Sequence, residues 1–155
     1  MDETIEARLA RLGVILPAAA APAANYLPFL RHEGTLYLSG QLPIAGGGVA
    51  VRGRLGKSVS LEDGRKAARL CAINILAQTK AALDGDLERI RQVLRITGFV
   101  ASSPHFTEHH LVLNGASDFL VEALGERGRH ARAAVGMAAL PLDAAVEVDA
   151  VIAVA

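Results

Sequence analysis

The order of elements readable along the chain, ββ(β)αβαββ, predicts a single α+β domain in which a mixed sheet carries two helices on one face. Three observations support this class. The chain has 155 residues, the size of one compact domain. Segments with helical periodicity run from Ser60 to Leu83 and from Asn114 to Leu124. Short runs rich in β-branched and aromatic residues stand on both sides of these helices.

Residues 1–24 read as an N-terminal helix and an extended lead-in, and residues 25–155 as the domain. Ile5, Leu9 and Leu12 trace one face of a short helix over 3–12, which Gly13 stops. Pro17 and Pro22 keep the stretch to Ala24 irregular. Tyr26, Phe29 and Leu30, the turn Arg31-His32-Glu33-Gly34 and the run Thr35–Ser39 predict a β-hairpin ending at Gly40-Gln41-Leu42-Pro43. Gly46-Gly47-Gly48 reads as a loop, and Val49–Val59 as a short edge strand.

Ser60 is a good N-cap, with Asp63 three residues on, and opens the strongest helix. Residues 67, 70, 71, 74, 77, 78 and 81 form its mostly small inner face, and Asp84-Gly85-Asp86 turns the chain after it. Val93–Val100 is a strand that Ser102-Ser103-Pro104 terminates. The second helix turns Phe119, Leu120 and Leu124 inward. Two strands, Ala131–Met137 and Ala144–Val154, close the chain around Pro141-Leu142-Asp143.

Composition narrows the function classes. Hydrophobic residues make up 52% and charged residues 21%, a globular balance. Aromatics are 4% and alanine is abundant, so each core side chain buries little area and burial between subunits would supplement it. Sixteen basic residues offset sixteen acidic ones. A net charge of zero with scattered basic residues speaks against nucleic-acid binding through phosphate neutralisation. Cys71 is the lone cysteine, which leaves no internal disulfide and no cysteine-based zinc site. The acidic start lacks a signal peptide's basic and apolar regions, and no apolar run approaches the ~20 residues of a membrane span. The expectation is a cytoplasmic protein with no membrane partner.

The closing strands hold the candidate chemistry. Alternation places Arg132, Ala134 and Gly136 on one face, a long cation over a shallow floor. The run Val146–Ile152 is apolar except for Glu147 and Asp149. A hairpin turn centred near Ala139-Leu140 would set Arg132 directly across from Glu147. A guanidinium holds a carboxylate bidentately, and a nearby carboxylate can order and activate a water. That pairing suits hydrolysis of a small amino-acid-derived molecule; a cross-strand salt bridge is the plainer reading of the same pair.

Ala131-Arg132, Ala138-Ala139-Leu140-Pro141 and Val146-Glu147-Val148-Asp149-Ala150 resemble the C-terminal signature of the RidA family, also called YjgF, imine deaminase or endoribonuclease L-PSP. Asn25-Tyr26, Tyr37–Pro43, Asn74 and Asn114 match further landmarks, so the resemblance spans Asn25 to Ala155. It implies the YjgF/chorismate-mutase-like fold, a homotrimer with clefts between subunits, and hydrolysis of enamine or imine intermediates such as 2-aminoacrylate to a 2-keto acid and ammonia. It implies further that Arg132 binds the substrate carboxylate and Glu147 positions the attacking water. Tyr26 would wall the cleft, Asn114 would shape it, and Ser39, Gly40 and Ala134 would line it. No metal or organic cofactor is implied.

Departures from the pattern leave room for other readings. Ala134 stands where the family usually has cysteine, Arg129-His130-Ala131 replaces the usual aromatic-Pro-Ala approach to the arginine, and extra residues lie between Phe106 and Asn114. A non-catalytic binder of a small carboxylate would use the same cleft. Ribonuclease activity follows from an older family name, and chorismate mutase only from fold analogy. His105, His109 and His110 in the longer segment would either gate the cleft or form a metal cluster, but Pro104 argues for a loop there. Cys71 reads as a core thiol.

Overall fold

The computed structural model describes residues 2–155. Helix α1 (Ile5–Arg11) precedes strands β1 (Phe29–His32), β2 (Thr35–Gln41), β3 (Ile44–Ala45) and β4 (Gly48–Val49). Helix α2 (Leu61–Ala82), strand β5 (Ile90–Ala101) and helix α3 (His109–Leu124) follow, then β6 (Ala131–Met137) and β7 (Val146–Val154). The main sheet has the order β1-β2-β7-β5-β6, with every neighbouring pair antiparallel except β5 and β6. The predicted hairpin is β1–β2, with Leu30 opposite Tyr37. The edge strand expected over Val49–Val59 shrinks to the small β3–β4 ladder and isolated bridges at Arg52, Leu55 and Val59.

Alternation on β7 sets the layers. Val146, Val148, Ala150, Ile152 and Val154 are buried toward the helices, while Glu147, Asp149, Val151 and Ala153 turn to the other face of the sheet. Helix α2 lies over the buried face. The Ser60 hydroxyl accepts the Asp63 amide at 3.1 Å, the cap its sequence predicts. Every residue from Cys71 to Thr79 is buried, because the sheet lies beneath this stretch and α3 beside it. Small residues allow that approach: a Cβ at Gly115 of α3 would stand 2.1 Å from the Arg65 carbonyl of α2. Burial raises the Cys71 thiol well above its ordinary pKa, which keeps it a core residue.

Two expectations need correction. Helix α3 starts at His109, not Asn114. Val112, Leu113, Ala116, Phe119 and Leu120 continue one inner face, and the two polar histidines at its start mask that periodicity in the sequence. The closing strands are not a hairpin, because β5 lies between β6 and β7. Ile90, Val93, Ile96 and Val100 make β5 apolar toward the helices, and it is hydrogen-bonded along both edges. Where β5 ends, Ala101 donates its amide to the Ala145 carbonyl and Ser102 to that of Met137, so the β6–β7 connection wraps around this end. No helix among the described residues is long and apolar enough to cross a membrane.

Polar residues of α2 fix the segments beside β2. The Asn74 side-chain amide donates to the carbonyls of Leu42 and Ile44 at 2.9 and 3.1 Å, and that of Gln78 donates to Ala20 at 2.7 Å. Asn74→Ala leaves both loop carbonyls without their donor. Chemical denaturation is expected to show a loss of about 1–3 kcal/mol.

Candidate active site

Arg132 sits on β6, an edge strand, and is half-buried. Its side chain rises on the helix face. Nη1 donates to the Ser117 hydroxyl at 3.0 Å, and Nη2 to the His110 carbonyl at 2.9 Å, both on α3. Ser117 in turn lies 2.8 Å from His130 Nε2, and His130 Nδ1 meets the Gly128 carbonyl.

The direction of this chain follows from chemistry. A carbonyl only accepts, so His130 Nδ1–H donates to Gly128. Burial holds the His130 ring below its ordinary pKa against the opposing pull of the Gly128 carbonyl, and the nearby Arg132 charge lowers it further. The neutral ring therefore accepts the Ser117 hydroxyl proton at Nε2, and the Ser117 oxygen is left to accept from Arg132. The guanidinium is thus oriented by neutral groups and has no carboxylate partner among the described residues. Asn114, Ser117, Asp118, Val121, Arg129 and His130 surround it in a pocket of about 320 Å³.

Glu147 belongs to a second cluster. It pairs with Phe99 across the β5–β7 ladder and lies over Gly40. The register between β2 and β7 shifts between Leu38 and Gln41, a bulge that contains Ser39 and Gly40. A Cβ at Gly40 would stand 2.1 Å from Glu147 Oε1, so only glycine lets the carboxylate lie there. Burial, and then the like charge of Asp149, raise the Glu147 carboxyl above its ordinary pKa. Ser39 donates its hydroxyl to the Leu27 carbonyl at 2.7 Å, tying the bulge to the segment that carries Tyr26. Tyr26 and Gly40 line one small cavity with Ala20–Ala23 of the lead-in.

The predicted residues therefore form two groups on opposite faces of the sheet. Arg132 and Ala134 share the helix face with Asn114: Gly98, which pairs with Ala134, lies under Leu113 of α3. Glu147 and Gly40 meet on the other face; Ser39 ties their bulge to the segment of Tyr26, whose cavity Gln78 of α2 also lines. The direct Arg132–Glu147 opposition fails because β5 separates their strands, and its register turns their side chains apart. Ile96 is opposite Arg132, and Phe99 is opposite Glu147.

Residues 6–153 match the family described as YjgF/chorismate mutase-like, putative endoribonuclease. The chain belongs to the YjgF/RidA family. It is 50% identical over 149 residues to Protein TCP17 of Trypanosoma cruzi, covering 96% of this chain and 92% of the relative. A crystal structure of an Agrobacterium tumefaciens protein of unknown function is 55% identical, with a TM-score of 0.92 over 97% of this chain and 92% of that one. A crystal structure described as a putative endoribonuclease from Shewanella oneidensis is 36% identical, with a TM-score of 0.95 over 98% and 100% of the two chains.

Within this YjgF/RidA chain, sequence reasoning missed Ser117 and His130 as supports of Arg132. Both have a signal. Ser117 is one helical turn beyond Asn114, and His130 is two residues before Arg132. Gly40→Ala tests the second cluster. The clashing atom ends a flexible side chain, so stability should change by no more than about 0.5 kcal/mol. The Glu147 carboxylate should swing toward water, and its pKa, read by carboxyl ¹³C NMR titration, should fall toward that of an ordinary glutamate.

Proposed function

We propose that this protein hydrolyses small enamine or imine intermediates of the 2-aminoacrylate type, at sites that combine Arg132 of one copy with Glu147 of the next in a homotrimer. The observation that carries the reading is the state of Arg132: a guanidinium oriented by neutral acceptors, with no carboxylate of its own. Such a cation suits a substrate carboxylate. The opposite-face placement of Glu147 supports an assembled site, since a second copy can present the face that the first cannot.

In this mechanism the enamine takes a proton from water at its terminal carbon and becomes the iminium ion, leaving hydroxide. Arg132 holds the adjacent carboxylate. Glu147 accepts a proton from water as the water oxygen bonds to the iminium carbon, then passes it to the nitrogen of the carbinolamine. Ammonia leaves as the hydroxyl gives its proton to hydroxide, and the 2-keto acid remains. Asn114 and the backbone at Ala134 shape the arginine side; Tyr26, Ser39 and Gly40 line the glutamate side. The endoribonuclease in the family's description draws no support from the charge, because the chain has no basic excess to hold a phosphate backbone.

The decisive assay is release of 2-keto acid and ammonia from enzymatically generated 2-aminoacrylate. Arg132→Ala and Glu147→Gln are each expected to lower kcat/KM by about 100-fold. Mixed assemblies of the two variants should regain activity at roughly one quarter of their sites, because only there does an intact Arg132 face an intact Glu147. A folded wild type that binds small acids without turning over 2-aminoacrylate would make the protein a carboxylate binder instead.

The pH profile follows from Glu147. The water-activating form is the carboxylate, which prevails only above the raised pKa, so activity should fall on acidification at a higher pH than an ordinary glutamate would give. Asp149→Asn removes the like charge and should move that fall to lower pH, measurable as a shifted acidic limb of kcat/KM.

A further inference from the structure

A pocket of about 340 Å³ opens on the helix face at the C-terminal end of β6, and it shares no lining residue with the Arg132 pocket at the other end of the strand. Gly136 and Met137 form its floor, Pro104 and Phe106 an apolar wall, and Ser102 and His109 a polar corner. Ser102 Oγ and His109 Nε2 are 3.0 Å apart. The Phe106 ring stands edge-to-face with the His109 ring, at 5.1 Å and 82°. Gly136 keeps the corner open, because a Cβ there would lie 2.6 Å from His109 Nε2 and 2.8 Å from Ser102 Oγ.

At the rim, Arg54 Nε donates to the carbonyl of Ala138, another lining residue, at 2.7 Å. That single bond fixes the guanidinium beside the pocket, and its terminal nitrogens have no partner among the described residues. No carboxylate lines the walls. His109 lies in the segment that is longer than the family pattern.

We propose that this pocket is a second ligand site, for an organic oxyanion: a carboxylate or phosphate carried on a flat apolar body. Arg54 supplies the charge. With His109 Nε2–H donating to Ser102 Oγ, the serine hydroxyl turns its own proton into the pocket and toward the anion. Phe106 and Pro104 flank the apolar body, and the cavity volume fits a ring with one oxyanion.

The His109 ring, in the polar corner, reports on this site directly. Histidine ¹⁵N labelling gives ring signals for the five histidines of the chain, His109 among them. Titration of the full chain with benzoate and with phenyl phosphate is expected to shift the His109 ring signals saturably, and the tighter probe identifies the preferred oxyanion. Arg132→Lys should leave this titration intact, Arg54→Gln should weaken it about tenfold, and Gly136→Ala should abolish it. Arg54 is partly exposed, so its variant keeps the test valid if Gly136→Ala does not fold. Absence of a saturable shift with both probes overturns the proposal. So does a shift that Arg132→Lys removes and Arg54→Gln leaves unchanged.

Discussion

A strand in the middle of a sheet must satisfy the hydrogen-bonding groups along both of its edges, and β5 meets that demand with β7 on one side and β6 on the other. The rest of the molecule follows from this placement. It makes β6 an edge strand, so a long cation there can reach past the sheet to α3 while one flank stays open. It sends the chain after β6 around the end of β5 before β7 can form. It also fixes which side chains share a face, since the β5 registers with β6 and β7 turn Arg132 toward the helices and Glu147 away from them.

Much of the fold is legible in local sequence because local physics decides it. Ser60 caps α2 whatever lies elsewhere, and alternation on β7 names its buried face without knowledge of its neighbours. The β1–β2 hairpin follows from a short turn between strand-forming runs. Strand order is different in kind. Nothing in Ala131–Val154 alone reports that a segment from before α3 inserts between its two strands, so Arg132 and Glu147 are individually conspicuous but their relation is not. The start of α3 is hidden for a milder reason: two adjacent polar histidines stand where an apolar periodicity has already begun.

The Arg132 cluster shows how a cation can be oriented without being neutralised. A carboxylate partner would hold the guanidinium firmly and compete with any anionic ligand. The His130–Ser117 chain and the His110 carbonyl instead supply dipoles, which orient the fork and leave its charge available. The neutral state of His130 is part of this arrangement, because a second positive charge beside Arg132 would strain the cluster.

The separation of the two clusters also bears on geometry beyond a single chain. Complementary patches on opposite faces of one sheet cannot both be answered by the same contact with one neighbour; each copy must offer one face to the copy ahead and the other to the copy behind. Contacts of this head-to-tail kind either close into a ring or grow into an open filament. In the composite site we propose, closure gives every ring as many complete sites as it has members and leaves no half-site exposed. The rotation relating neighbouring copies then decides whether the protein forms a discrete particle or a fibre, and small changes along β6 or at the β2 bulge would act on that rotation as well as on the chemistry.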